Sequence, residues 1–114
     1  MMIEIDGIRY PVIGVYDSIS SNNIPCKIIE MYSTYEEVVN LFTEGVKWQV
    51  IEQIETEVTS EGEDEFTVKH EEYITDCSLF SIPGTITIFR NGRISLEMAQ
   101  ASIDEILKLF EGVL

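Results

Sequence analysis

His70 is the first side chain to consider for chemistry, because it is the only histidine and an imidazole can act as an acid or base near neutral pH. It ends the segment Phe66-Thr67-Val68-Lys69-His70, whose alternation predicts a strand. His70 shares its phase with Phe66 and Val68, so we expect its ring to point inward. No residue at suitable spacing completes a triad or a metal site around it. The sequence therefore predicts no catalytic or metal-binding role for His70.

Adjacent acids are the other candidates for acid–base chemistry, and they occur at Glu36-Glu37, Glu63-Asp64 and Glu71-Glu72. Consecutive residues of a strand face opposite sides, and carboxylates in turns are solvated, so neither setting raises a carboxyl pKa as catalysis requires. The acidic run of residues 61–65 lacks the frame of a calcium loop, and no nucleotide-binding, nucleophile-elbow or zinc-protease motif occurs. We predict no enzyme, no metal and no cofactor.

The two cysteines, Cys26 and Cys77, have neither CxxC spacing nor the spacing of metal ligands. The first residues, MMIEIDG, lack the basic region of a signal peptide, which favours a cytoplasmic protein. In that reducing compartment we expect both cysteines to be small buried hydrophobic residues. A disulfide between them remains the alternative.

Charge is the most unusual bulk property of these 114 residues, since the formal net charge is −14. Nine acids and a single lysine lie within residues 52–72, and no basic stripe is present, so binding to nucleic acid is disfavoured. An acidic surface keeps a protein in solution. The alternative interpretation is a surface that meets a basic partner or imitates nucleic acid.

Hydrophobic residues make up 45% of the chain, enough for one core, and no apolar run reaches the ~20 residues of a membrane span. The central unit is residues 33–58, read as a helix, a glycine stop and a long strand. Ser33 and Glu36 form a predicted capping box. Gly45 is expected to end the helix. The apolar stripe of this helix comprises Tyr35, Val38, Val39 and Phe42.

The N-terminal segment predicts a hairpin with Asp6-Gly7 as a two-residue turn. This register places Ile5 opposite Ile8, Ile3 opposite Tyr10 and Glu4 opposite Arg9. Pro11 removes a ladder donor and so indicates an edge or a bulge. We expect this strand to continue to Tyr16, followed by a loop at residues 17–25 and a strand at residues 26–32.

The second half predicts two further hairpins. The first has a strand reaching about Val58, an acidic turn at residues 60–65, and a strand at residues 66–70. An extended segment follows at residues 73–80. The last hairpin, residues 85–98, gives a uniform apolar face only with a three-residue loop at residues 90–92. That register puts Ile88 opposite Ile94 and Ile86 opposite Leu96.

The C-terminal residues predict a second helix, which Ser102 and Glu105 cap and Gly112 closes. Its apolar stripe comprises Ile103, Ile106, Leu107 and Phe110. Because hairpins dominate and no βαβ alternation occurs, the expected fold is a single α+β domain, residues 1–114. It is mainly an antiparallel sheet or open barrel built from hairpins, with a short central helix and a C-terminal helix packed on it.

Candidate contact surfaces follow from exposure and charge. Phe89 has the opposite phase to Ile86 and Ile88, so it is either exposed beside Arg90 and Arg93, as in a protein interface, or covered by the C-terminal helix. The predicted interface residues are Pro11 at the edge strand, Phe89, Arg90 and Arg93 in the last hairpin, and Glu61, Glu63, Asp64 and Glu65 in the acidic turn.

Three pieces of the chain are IEIDGIRYPV, YEEVVNLFTEGVKWQVIEQ and EEYITDCSLFSIPGTITIFRNGRISLEMAQASIDEIL. Together they resemble a family of small tail-associated structural proteins encoded in prophages of Gram-positive bacteria. The resemblance implies a non-enzymatic tail or baseplate component that contacts other phage structural proteins or copies of itself and that becomes part of the virion tail. The acidic turn and a C-terminal helix of about three turns depart from the family pattern.

Two functions follow as hypotheses. The first is a structural protein that assembles through protein–protein contacts. The alternative is a small acidic inhibitor, or a mimic of nucleic acid, that binds a basic host protein.

Overall fold

The computed structural model describes residues 1–59 and 66–101 of the chain. All strand pairs in this part of the protein are antiparallel. The elements, in chain order, are β1 (Met2–Ile5), β2 (Ile8–Pro11), β3 (Gly14–Ile19), β4 (Pro25–Tyr32), α1 (Tyr35–Leu41), β5 (Trp48–Thr59), β6 (Phe66–Asp76), β7 (Ile82–Ile88) and β8 (Arg93–Ala99).

The strands form two four-stranded sheets, sheet A in the order β2-β1-β5-β6 and sheet B in the order β3-β4-β8-β7. Alternating apolar residues of both sheets meet in one buried core, so the sheets lie face to face with α1 against them. The predicted β-rich α+β fold is therefore confirmed in outline, as two sheets and a short helix. The core residues are Ile3, Ile5, Ile29, Met31, Val38, Phe42, Val46, Trp48, Val50, Cys77, Ile94, Leu96 and Met98.

Trp48 is the largest fully buried side chain of the described core. Its Nε1–H donates to the Phe80 carbonyl oxygen at 2.9 Å, which satisfies the one polar group of the indole. The ring of Phe42 meets the indole edge-on, with ring centroids 5.9 Å apart. This contact fixes α1 to the inner face of sheet A.

The hairpin β1–β2 has the predicted register, with Ile5 opposite Ile8 and Glu4 opposite Arg9. Asp6 and Gly7 have φ angles of 52° and 77°, as a type I′ turn requires. The predicted edge position of Pro11 is confirmed, since β2 is the outer strand of sheet A.

The predicted continuation of this strand to Tyr16 is wrong. After Pro11 the chain leaves sheet A and enters sheet B, where β3 pairs with β4. Ile13 already donates its N–H to the Glu30 carbonyl oxygen at 2.7 Å. Strand β3 also includes residues 17–19, so the predicted loop at residues 17–25 shortens to residues 20–24. The strand predicted at residues 26–32 is present as β4.

The predicted cap of α1 is displaced by one residue. Thr34 is the N-cap, and its Oγ1 accepts from the Glu37 N–H at 3.2 Å. Thr34 and Glu37 have the same spacing as Ser33 and Glu36, so the pattern was right but its position was not. Ser33 instead donates from Oγ to the Glu37 carboxylate at 2.8 Å.

The far end and the apolar face of α1 also differ from prediction. The helix ends at Leu41, and Gly45, at φ +83°, lies in the following turn rather than at the helix end. Val38 and Phe42 are buried, as expected, whereas Tyr35 and Val39 are exposed. The seven-residue helix buries only Val38, and Phe42 follows at its C-cap, so the buried stripe is narrower than the periodicity suggested.

The second and third predicted hairpins are both present. Residues 66–70 and the first part of the extended segment predicted at residues 73–80 form one continuous strand, β6, paired with β5 from Gln49 opposite Asp76 to Thr59 opposite Phe66. The rest of that segment, residues 77–80, forms a turn in which the Phe80 N–H donates to the Cys77 carbonyl oxygen at 2.9 Å. In β7–β8, Ile88 lies opposite Ile94 and Ile86 opposite Leu96, as predicted. Gly92 has φ +87° in the three-residue loop. The predicted turn at residues 60–65 and the predicted C-terminal helix lie outside the described residues.

Candidate interaction surfaces

The longest hairpin extends beyond the sandwich. Strand β1 pairs with β5 only from Trp48 to Ile51, where Met2 is the last partner. Beyond Ile51, in the described part of the chain, β5 pairs with β6 alone. We call the two-stranded ribbon of residues 52–59 and 66–73 the arm. Its eight residues per strand correspond to about 27 Å at the usual rise of a strand.

The arm explains the elongated shape of the protein. The radius of gyration is 17.9 Å, whereas a compact chain of this length has about 13 Å. A two-stranded ribbon is only marginally stable by itself in water. The arm is therefore a protrusion that gains stability when another surface covers it.

One face of the arm continues the core-facing side of sheet A without a cover. Val50 is buried, and the next residues on the same face are Glu52 and Ile54 of β5, opposite Tyr73 and Glu71 of β6. Ile54 is 43% exposed and Tyr73 is 51% exposed. Apolar and acidic side chains thus alternate on an open strip.

The opposite face of the arm carries Gln53, Glu55, His70 and Glu72. The prediction that His70 points inward is wrong, because the His70 side chain is 69% exposed. Its Nδ1 lies 3.7 Å from Glu55 Oε1, across the ribbon. The phase argument failed because no described side chain of the arm is buried.

A row of polar contacts fastens the base of the arm to the edge of sheet A. Gln49 Nε2 donates to Glu4, and Glu4 accepts from Arg9 Nε at 3.3 Å. Arg9 in turn binds Glu72 on β6. The pair Glu4–Arg9 was predicted from the hairpin register, whereas Glu72 was not.

Among the described residues, no strand pairs with one edge of the arm. Because Ile5 and Ile8 close the turn of β1–β2, Glu4 and Met2 direct their backbone groups towards β5, at Gln49 and Ile51. Because backbone groups alternate in direction along a strand, residues 53, 55, 57 and 59 direct their N–H and C=O groups to the same side as Gln49 and Ile51. The backbone groups of the even-numbered residues of β5 face β6. The Cys77 N–H, for example, donates to the Trp48 carbonyl oxygen at 2.9 Å.

Pro11 limits the other edge of sheet A. In the same ladder, Ile8 and Tyr10 face β1, so Arg9 and Pro11 direct their backbone groups outward. Pro11 has no N–H to donate there, and β2 is only four residues long. This edge is therefore protected against strand pairing. Pro11, a predicted interface residue, is exposed, but it prevents a partner strand from pairing with this edge.

The predicted group in the last hairpin is brought together only in part. The Arg93 guanidinium lies over the Phe89 ring, 4.1 Å from its centroid, and Phe89 is 37% exposed. Arg93 Nη1 also lies 3.7 Å from Glu30 Oε2. Arg90 is exposed in the loop. Phe89 and Arg93 thus stabilise each other, and whether the C-terminal residues cover Phe89 lies outside the described part.

The predicted acidic residues Glu61, Glu63, Asp64 and Glu65 lie outside the described residues. Their neighbours on the arm, Glu52 and Glu55, are exposed. The acidic character of this region is therefore present in the described arm as well.

Both cysteines are buried and free, which confirms the expectation of small hydrophobic residues and excludes a disulfide between them in this structure. Burial raises the pKa of the Cys77 thiol, which lies in the core. Burial likewise raises the pKa of Cys26. A neutral, buried thiol is a poor nucleophile.

A surface hollow of about 420 Å³ lies between α1 and β2. It is lined by Tyr10, Thr34, Glu36, Glu37, Asn40 and Leu41. It is shallow, and the adjacent acids Glu36 and Glu37 are both exposed. The hollow therefore lacks the enclosed apolar wall of a small-molecule site.

Within residues 1–59 and 66–101, no group of three or more His, Cys, Asp or Glu side chains is arranged to hold a metal ion. No helix in the same residues combines the length and apolar character needed to cross a membrane. No protein-family model, curated protein or solved structure matches this chain.

Proposed function

We propose that this chain is a non-enzymatic structural protein, a prophage-encoded component of a phage tail or baseplate, that acts through protein–protein contacts. The observation that supports it is the arm, which, within the described residues, leaves the sandwich with one face uncovered and one edge unpaired. Natural proteins usually shorten, cover or block such edges, as Pro11 does on β2. The strip that contains the exposed side chains of Ile54 and Tyr73 provides apolar surface that a partner can bury during assembly.

The resemblance of three sequence segments to tail-associated proteins supports the particular kind of assembly. The partners would be other phage structural proteins or copies of this chain, and the protein would be cytoplasmic when synthesised and part of the tail after assembly. No bond chemistry is required, because burial of the arm against a partner supplies the free energy.

The test is co-expression with phage tail and baseplate proteins, followed by co-purification and light scattering. The arm variant carries Ile54→Ser and Tyr73→Ser. The matched control carries Ile8→Ser and Tyr32→Ser, which are 56% and 64% exposed outside the arm. We expect the arm variant to lose the complex and the control to retain it. A monomer at all concentrations, with no tail protein bound, would contradict the proposal.

The acidic surface of the arm favours one second candidate, a small inhibitor that binds a basic host protein. Glu52 and Glu55 place exposed carboxylates on both faces of the ribbon. Such binding weakens with salt. Replacing Glu61, Glu63, Asp64 and Glu65 together by Gln should weaken it further, and binding unchanged by this substitution would eliminate the inhibitor.

A further inference from the structure

We infer that the open edge of β5 is a strand-addition site for an extended basic segment of a partner protein. This inference rests on the proposed function, because it names the partner chemistry that the arm would bind. In strand addition, the peptide backbone supplies affinity and alternate side chains supply specificity.

The backbone of β5 offers the hydrogen bonds. Residues 53, 55, 57 and 59 direct their N–H and C=O groups away from β6, as the ladders of β1 and β6 establish. Strand β1 uses the same edge at Gln49 and Ile51 and ends with Met2. An added strand would therefore lie in line with β1 and extend sheet A along the arm.

A hollow of about 250 Å³ lies where that strand would begin. It is lined by Met1, Glu52, Gln53 and Ile54. Met1 is 46% exposed and Ile54 is 43% exposed, so an apolar side chain entering this hollow would cover both. The geometry thus combines an unpaired edge with a side-chain pocket at its start.

The side chains beside this edge specify an alternating partner. On the face of Ile54, Met1 and Tyr73 favour apolar residues in the partner, and Glu52 on the same face favours a basic residue beside it. On the opposite face, Glu55 is 71% exposed and stands next to Gln53. Lysine or arginine at the alternate positions would pair with Glu55, and cross-strand pairs of opposite charge stabilise a sheet.

A second copy of the arm fits this edge poorly. Two arms would bring Glu52 and Glu55 of both copies into one ribbon, and like charges on neighbouring strands are destabilising. The formal net charge of −14 on each chain adds long-range repulsion. Charge complementarity therefore selects a basic strand from a different protein.

The first test uses a short synthetic peptide of alternating lysine and valine, with alternating glutamate and valine as the control peptide. Amide exchange measured by NMR on the full chain reports each backbone N–H. In the free protein we expect the amides of Gln53 and Glu55 to exchange fast and those of Glu52 and Ile54 to exchange slowly. The lysine peptide should protect Gln53 and Glu55, and the glutamate peptide should not.

The second test separates the backbone from the side chain. Gln53→Pro removes an N–H that faces the open edge but leaves the β5–β6 ladder intact, whereas Gln53→Ala removes only the side chain. We expect the proline variant to bind the lysine peptide about tenfold more weakly or worse, as loss of a hydrogen bond implies. The alanine variant should bind almost as the parent does. If the proline variant does not fold, the amide-exchange experiment on the parent chain still tests the inference.

Two outcomes would overturn the inference. One is binding of the lysine peptide without protection of Gln53 and Glu55, which would show contact through charged side chains alone. The other is absence of binding even at low salt. Neither result affects the co-purification of tail proteins with the parent chain, so failure of strand addition and failure of the tail assignment are distinguishable.

Discussion

Arg9 on β2 makes a bidentate ion pair with Glu72 on β6, although the two residues are 63 positions apart in the chain. Arg9 Nη1 lies 2.9 Å from Glu72 Oε1 and Nη2 lies 3.3 Å from Oε2. Arg9 also holds Glu4 on β1, so one guanidinium connects three strands of sheet A. Paired hydrogen bonds of this kind fix geometry as well as charge. The pair therefore links the base of the arm to the edge strand of sheet A.

Removal of Arg9 should change the titration of Glu72. Hydrogen bonds and charge from Arg9 lower the pKa of the Glu72 carboxyl. The stabilisation is complete above the ordinary carboxyl pKa of about 4.3 and is lost as pH falls through the lower folded value. In Arg9→Ala, NMR titration should show the pKa of Glu72 returning upward, and exchange at the base of the arm should accelerate. Arg9→Lys keeps the charge but not the paired geometry, and an unchanged Glu72 titration in Arg9→Ala would refute this account.

Trp48 should be the most sensitive single position of the core. Trp48→Phe leaves a space beside Phe42 and removes the donor to the Phe80 carbonyl oxygen. We expect a loss of about 2–3 kcal/mol in the free energy of unfolding, combining a cavity with a lost buried hydrogen bond. Denaturant unfolding followed by circular dichroism measures it. A control at exposed Ile8, Ile8→Ser, should change the stability by less than about 0.5 kcal/mol.

The two candidate caps of α1 can be distinguished by alanine substitution. Thr34→Ala removes the acceptor for the Glu37 N–H and should cost about 1 kcal/mol. Ser33→Ala removes only an exposed contact with the Glu37 carboxylate and should cost less. Denaturant midpoints of the two variants give the comparison. Equal losses would show that Thr34 is not the dominant cap.

The buried thiols should resist modification in the folded protein. Because burial raises the pKa of Cys26 and Cys77, both remain neutral near neutral pH. A thiol-reactive aromatic disulfide should label neither cysteine in the native chain and both in denaturant. Above about pH 8.5 the unfolded thiols ionise first, so stability should fall as pH rises. Rapid labelling of either native cysteine would contradict this placement.

Turn chemistry accounts for the registers that the sequence predicted correctly. Asp6-Gly7 and Gly92 occupy left-handed backbone conformations, and each turn is flanked by a strict alternation of apolar residues. A shift by one residue would bury Glu4 or expose Ile94. Local conformation and side-chain burial thus point to the same register, which is why these two hairpins could be predicted from sequence.

Predictions from the sequence were wrong where the local structure depends on residues that are distant in the chain. Val12 and Ile13 extend the apolar alternation of β2, yet the chain changes sheets there, because β4 pairs with the following residues. His70 shares the phase of predicted inward residues, yet no described side chain of the ribbon around it is buried. The N-cap of α1 lies at Thr34 and not at Ser33, a shift of one residue that depends on how the helix packs against the two sheets.

For the proposed surface, the sequence by itself determined the alternation of Ile54 with glutamates, the acidity, the block at Pro11 and the turn registers. These properties are local, since they depend on residue type, period and turn conformation. Only the tertiary structure decided that β1 ends opposite Ile51 and that Arg9 reaches Glu72. Both facts depend on which strands become neighbours, and strand order follows from burial of the whole core rather than from any single segment.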